Sequence, residues 1–450
     1  MIRLIIILLS VVALFCYNSI DKNSHSNKPI SIVFDEVLKV KKLKEDKNFE
    51  ERNEVSVFLS DLVIEEKNGH EIKQWDFAKK KILKFEDSES HLSNDSIYAD
   101  VVFRSMELSN RAVLLKMIKG ANIKADGLED VALLEHLFSM KYKQGKGGLE
   151  LSKFKDNGIV SYSVGDKEIF SYSTKHLTKL SAKESELFLK FLRYNYGVHP
   201  DILQDLGQKE ILPDQITIKH YEIHQNREIL LSLKSFSRDV KDYWAFTLQE
   251  NSSSKNLKSD SLSALINKAN ALPKGELEKR RQQILDRAIN YAKNKKYLPA
   301  ATSFFAYSSS IGGEVPKEFN DYKNDLLKDQ NVQKLISTLG SKDSNKAISI
   351  LDSLVKKAGE DSYLLLAFKA NYLKAENRSQ STKLFQEALS ENNIMPNIWI
   401  DLGKNLIYEF RTYEAWECFD VAKKLTPNHP MLSEIYKKEK DVEMKYPEFF

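Results

Sequence analysis

Cysteine is scarce in this chain of 450 residues, which holds only Cys16 and Cys418. Two cysteines exclude a disulfide framework and a Cys-based zinc module. Their settings also differ, Cys16 in an N-terminal apolar run and Cys418 in a strongly helical segment, so no bridge between them is expected. An excess of one charge is missing too. Lys plus Arg is 68 and Asp plus Glu is 64, a formal net charge of +4. Neutralising phosphates needs a clear basic excess, so a dedicated nucleic-acid binder is excluded. Long apolar runs are limited to one, which excludes a multi-spanning membrane protein. What remains, 42% hydrophobic and 29% charged residues, is ordinary globular composition. At roughly 150 residues per domain, the length suggests about three domains.

Catalytic and cofactor motifs are absent as well. There is no G-x-S-x-G elbow, and His70-Glu71 has no second histidine at the spacing of a metalloprotease helix. Gly145-Lys146-Gly147-Gly148 lacks the upstream glycine and the Ser/Thr of a phosphate loop, and reads as a turn. No cofactor is expected.

The first residues, MIRLIIILLSVVALFCYNSI, place Arg3 before an apolar run from Leu4 to Tyr17. A short basic start and an apolar run of this length match an export signal better than a core helix, because the run is apolar all round. No small-residue cleavage site follows, and Phe15 before Cys16 departs from the small residue that lipid attachment prefers. A cleaved signal, an uncleaved anchor and lipidation stay open. Each implies an exported, extracytoplasmic or periplasmic chain with at most one N-terminal membrane contact.

Residues 1–20 are therefore read as signal or anchor and 21–29 as a polar tether. From 30 to 250 the pattern is mixed. Helical spacing in Ala99, Val102, Phe103 and Met106, in Ala112 to Ile118 and in Leu128 to Tyr142 alternates with strand-like stretches. Val160–Val164 and Lys167–Tyr172 flank Gly165-Asp166, the pattern of a hairpin. Ser181 and Glu184 form a capping-box signature before a helix, a second helix is expected over Pro200 to Leu206, and alternation returns at Ile216, Ile218 and Ile229 to Leu233. An α+β region fits, as do helical repeats with a β insertion. The polar stretch 251–263 is a linker. After it the pattern is helical throughout: 264–435 as repeats and 436–450 as a capping segment.

The helical half repeats. Phe385 and Phe419 are 34 residues apart, as are Ala388/Ala422, Leu365/Trp399, Phe368/Leu402, Tyr372/Leu406 and Ser381/Ala415, and Ala347 and Leu351 extend the series backwards. In the last full unit Trp399, Leu402, Gly403, Leu406, Ala415, Phe419, Ala422 and Pro427 resemble the tetratricopeptide repeat pattern, with Leu406 where a tyrosine is usual. A further helix pair with Ala288, Tyr291, Ala300 and Phe304 also looks like this repeat. The resemblance covers roughly 280–435 and is strongest over 362–430. It implies an all-α superhelix of helical hairpins and a protein or peptide partner held in a groove lined by the first helix of each hairpin. By repeat position that groove would use Tyr363, Leu366 and Ala370 in one unit and Asn397, Ile400, Asp401 and Lys404 in the next. Members that grip a C-terminal carboxylate use paired Lys and Asn from successive units; here Ala370 holds the place of Lys404 one unit earlier and Asp401 adds a negative charge, so an apolar groove with mixed polar edges, fit for a helix or an extended segment, is expected instead. The groove could also be filled by the chain's own N-terminal region.

In the first half the sharpest chemical candidate is His220, Glu222 and His224. Alternation would put two imidazoles and a carboxylate on one strand face, a donor set suited to zinc or iron. The same pattern is equally the polar end of a strand. Two functions follow: an exported interaction scaffold, or an exported, metal-dependent enzyme whose repeats recruit substrate.

Overall fold

The computed structural model describes residues 29–43, 48–86, 91–121, 130–142, 149–222, 224–238, 240 and 261–450. The apolar run 1–20, the tether to residue 28, the turn at Gly145-Lys146-Gly147-Gly148 and most of the linker lie outside them. Among the described residues no helix is long and apolar enough to cross a membrane.

The first half is α+β. Its strands are β1 (Ile30–Lys42), β2 (Asn48–Leu59), β3 (Val63–Asn68), β4 (Glu71–Asp76), β5 (Lys81–Glu86), β6 (His91–Ser96), β7 (Leu151–Asp156), β8 (Ile159–Val164), β9 (Lys167–Ser173), β10 (Leu177–Lys179), β11 (Ile211–Pro213), β12 (Gln215–Tyr221) and β13 (Gln225–Ser237). Eleven of them form one sheet in the order β6-β5-β4-β3-β2-β1-β13-β12-β9-β8-β7, with every pair antiparallel. Two meanders thus flank the central pair of β1 and β13. This sheet decides against helical repeats with a β insertion.

Period-2 burial explains why these segments extend. Ile30, Ile32 and Phe34 of β1 and Val55, Val57 and Leu59 of β2 are buried, while Ser31, Val33, Ser56 and Phe58 between them are only half-buried. The buried face is covered by α2 (Val131–Phe138), α3 (Ala182–Asn195) and α4 (Pro200–Lys209). Phe188 and Phe191 of α3 stack on Phe34, with centroids 6.5 Å away in each case. Each such side chain, fully buried, contributes about 1.5–3 kcal/mol. Helix α3 begins at the capping box read from the sequence, Ser181 accepting from the Glu184 amide and Glu184 from the Ser181 amide. Gly165 turns the β8–β9 hairpin with φ +62°. The helical spacing at 99–118 belongs to one long helix, α1 (Ile97–Gly120).

The second half is all helical: α5 (Ser261–Asn270), α6 (Lys274–Lys293), α7 (Tyr297–Ser310), α8 (Phe319–Lys328), α9 (Gln330–Thr338), α10 (Ser344–Val355), α11 (Tyr363–Leu373), α12 (Arg378–Glu391), α13 (Pro396–Tyr408), α14 (Thr412–Leu425) and α15 (Leu432–Lys445). Helices α9/α10, α11/α12 and α13/α14 form successive antiparallel hairpins that pack on one another as a helical repeat. The 34-residue offset survives in the packing. Leu351, Phe385 and Phe419 are all fully buried, as are Ser381 and Ala415. A Cβ on Gly403 would lie 2.5 Å from Cε1 of Phe419 and 2.9 Å from the Ala415 carbonyl, so only glycine lets α13 and α14 close to this distance.

The hairpin of α6 and α7 departs from a simple end-on unit. Instead it runs along the turns between hairpins and reaches the stretches 358–361, 392–393 and 425–426 in turn.

The halves meet through the second helix of the last unit. Tyr413 of α14 donates to Asp100 Oδ1 of α1 (2.9 Å), and Lys81 of β5 pairs with Asp420 of α14 (2.5 Å). The C-terminus then enters the core of the sheet half, where Phe449 packs edge-on against Tyr194 at 5.5 Å and its carbonyl accepts from the Tyr194 hydroxyl (2.7 Å).

Candidate functional site

Helices α11 and α13 carry the residues expected to line a groove. Tyr363, Ala370 and Ile400 are buried, within one hydrophobic cluster that also holds Ala306 of α7. Burial of the Tyr363 ring raises its hydroxyl well above the ordinary phenol range; that oxygen accepts from Asn392 Nδ2 at 2.9 Å. Leu366 and Asn397 are half-buried. The apolar positions of the expected groove are therefore occupied by packing within the chain, in a cluster that takes in Ala306 of α7 and, from the sheet half, Ala99 of α1.

What these helices present outward is polar. Asn371 Nδ2 donates to Asp401 Oδ2 (3.0 Å), linking α11 to α13. Lys404 pairs with Glu434 (2.5 Å), linking α13 to α15, and Lys369 pairs with Asp352 (2.7 Å), linking α11 to α10. Burial pushes the Asp401 carboxyl upward, opposed by the Asn371 bond and by Lys374 and Lys404. A ladder of amides, carboxylates and ammoniums thus crosses successive units. Such groups recognise the backbone and polar side chains of a peptide more readily than an apolar stripe.

His220, Glu222 and His224 end up in three environments. His220 is 2% exposed and its Nε2 lies 2.7 Å from the Tyr196 carbonyl. Glu222, just past the end of β12, holds Arg227 at 2.6 Å. His224 is exposed. Among the described residues no group of three or more His, Cys, Asp or Glu side chains is placed to hold a metal ion.

The polar groups that do converge were not singled out by spacing. The loop from Asn195 to His199, between α3 and α4, lies on the buried face of the sheet and is tied there by polar side chains. Glu66 of β3 accepts from Asn195 Nδ2 (2.7 Å), and His199 Nε2 faces Glu135 Oε2 of α2 (3.2 Å). His136 of α2 accepts from the His199 amide through Nδ1 (3.0 Å), and its ring lies on that of His220. Gly197 permits the close approach: its φ is +65°, and a Cβ there would sit 2.5 Å from the Leu137 carbonyl. Burial raises the carboxyls of Glu36 and Glu66. These residues come from five separate segments, so no local motif announces them.

A cavity of about 530 Å³ opens at one end of the sheet between β1, β2, β12 and β13, lined among others by Lys39, Lys41, Phe49, Lys219, Tyr221 and Glu228. Most of its charges are paired within the lining or with residues beside it. Lys39 holds Glu228 at 3.2 Å, and Lys219 holds Glu168 at 2.9 Å.

No protein-family model matches the chain, and no curated protein does. Among solved structures, a chain described as "Lipid-protein interactions in lipovitellin" is similar at 11% identity, covering 94% of this chain and 47% of that one, with a TM-score of 0.16. This chain thus spans about half the length of that one, and a score so low carries no argument about shared fold.

Proposed function

We propose that this chain is an exported or membrane-tethered interaction protein of the tetratricopeptide type, binding a protein or peptide partner on its helical array. One observation carries the reading. Three hairpins stack with a constant 34-residue offset, and small residues at Gly403, Ser381 and Ala415 sit where paired helices meet. A stacked array of this kind builds an extended surface from equivalent positions of successive units, which suits recognition of a chain rather than of a small molecule.

The contact surface assigned to the partner is the polar ladder of Asn371, Asp401 and Lys404, with Leu366 and Asn397 beside it. Export follows from the N-terminal apolar run, and the first 20 residues supply the tether if they are retained. The test compares co-purification of partners by the intact chain and by the variant Asp401→Lys/Lys404→Glu. Reversed charges at two half-buried positions leave the apolar core of the hairpins in place, so a folded variant that has lost its partners supports the reading. A folded variant that recovers the same partners in the same amounts refutes it.

A further inference from the structure

Helix α6 carries three guanidiniums that reach three successive turns of the array. Arg287 Nη2 donates to Asp361 Oδ1 (2.8 Å), Arg280 Nη1 to Asn393 Oδ1 (2.8 Å), and Arg281 Nη2 to the Leu425 carbonyl (2.9 Å) and Thr426 Oγ1 (2.8 Å). Helix α7 then returns along the first helices of the units. Phe305 meets Phe368 of α11 edge-on at 5.3 Å, Leu298 joins the cluster of Leu365, and Ala306 joins that of Tyr363 and Ile400.

The character of these contacts matters as much as their place. Hydroxyls and carbonyls fix much of α7. Thr302 donates to the Ala358 carbonyl (3.1 Å), Ser303 to Asp361 Oδ2 (2.5 Å), and Thr426 to the Ser310 carbonyl (2.9 Å). Bonds of this kind are exchanged for bonds to water when the two surfaces part, so they oppose separation less than apolar packing of the same extent does. One end of the hairpin has a fixed entry and the other has backbone suited to a hinge. Pro273 precedes α6, and Gly312 and Gly313 follow α7 with φ of +101° and +97°. A Cβ on Gly313 would meet nothing.

We propose that the α6–α7 hairpin is a strap lying over the inner face of the array, and that the partner of this face is an amphipathic helix able to take the place of α7 on α11 and α13. The proposal rests on the array being a protein-binding surface and deepens it by naming the segment that the partner lays on the inner face, in addition to its contact with the polar ladder. Helix α7 is the evidence for that class, because a helix is what the inner face holds in this structure. Its contacts at Leu298, Thr302, Phe305 and Ala306 follow i, i+4, i+7 and i+8, so the competing helix carries small or aliphatic residues and one aromatic ring on a single stripe.

The experiment uses the full chain, the variant Arg281→Met/Arg287→Met and a fluorescent, helix-stapled copy of residues 297–310. Hydrogen exchange follows α7 in each protein, and fluorescence polarisation follows the added helix. The expected result is at least tenfold faster exchange of α7 in the variant, together with saturable binding of the helix that the intact chain shows weakly or not at all. A folded variant whose α7 exchanges faster yet binds no helix overturns the assignment of the partner class. Unchanged exchange overturns the strap. If the variant does not fold, exchange in the intact chain decides: the strap requires α7 to open ahead of α11 to α14 by at least tenfold, and equal protection overturns it. The added helix requires no natural partner, so this test can fail while the co-purification test succeeds, and the reverse.

Discussion

The imidazoles of His136 and His220 lie against one another with centroids 4.8 Å apart and planes tilted by 31°. Their hydrogen bonds assign the proton of each ring. His136 Nδ1 accepts from the His199 amide, so its proton is on Nε2; His220 Nε2 donates to the Tyr196 carbonyl, so its Nδ1 is bare. Among the described residues, neither His136 Nε2 nor His220 Nδ1 has a hydrogen-bond partner. Burial holds His136 well below the ordinary imidazole range, helped by the neighbouring His220 and His199, and brings His220 down to about 3 with Arg227 adding to the effect.

This pair makes stability depend on pH with a definite sign. A folded state that keeps both rings neutral is penalised once the unfolded chain protonates them, that is, below pH 6.5. Each histidine then costs about 1.4 kcal/mol per pH unit as pH falls, and for His220 the loss continues to about pH 3. The double variant His136→Asn/His220→Gln keeps a donor and an acceptor in place and cannot titrate. Urea unfolding between pH 6.5 and 5 is expected to show a flatter loss of stability in the variant than in the parent. Parallel curves would contradict the assignment.

Glu417 on α14 carries the opposite sign. Burial, with Asp95, Glu414 and Asp420 nearby and only Lys81 opposing, pushes its carboxyl up to about 7. A raised carboxyl stabilises the folded chain below its unfolded value of 4.5 and loses that effect as pH rises through 7. Glu417→Gln is therefore expected to match the parent near pH 4.5 and to be more stable by about 1–2 kcal/mol at pH 8, after discounting for solvent screening. Thermal unfolding at the two pH values checks it.

Gly403 sets the approach of the best-formed hairpin. With a new Cβ 2.5 Å from the Phe419 ring, Gly403→Ala forces the two helices apart and is expected to cost about 1–3 kcal/mol. The same change at Gly313, where nothing is met, introduces no such clash, although its φ of +97° adds backbone strain. Chemical denaturation of the two variants separates packing from backbone effects.

How much of this was legible varies with the distance between partners in the sequence. The array was readable because Leu351, Phe385 and Phe419 recur at one interval, and each interval is a local hairpin. Strands β1 and β2 were not named, because KVKKLKEDKNFEERNE between their apolar ends is rich in good helix formers. The clue was the alternation of Ile30, Ile32 and Phe34 and of Val55, Val57 and Leu59. Repeat position placed Tyr363, Ala370 and Ile400 on the first helices, but nothing in a single sequence says that α7 packs there too. Nor could spacing find the His136–His220 contact, since 84 residues and a sheet crossing separate the two.

The central claim, a partner held on the array, is most directly tested by photo-crosslinking from within the full chain in its native host. A photoreactive residue replaces Lys404 beside the polar ladder or, as a control, Lys383 on the exposed side of α12. The account predicts a discrete intermolecular adduct from position 404 and none from 383. Adducts of equal yield from both positions, or crosslinks from 404 only to the chain itself, would contradict it.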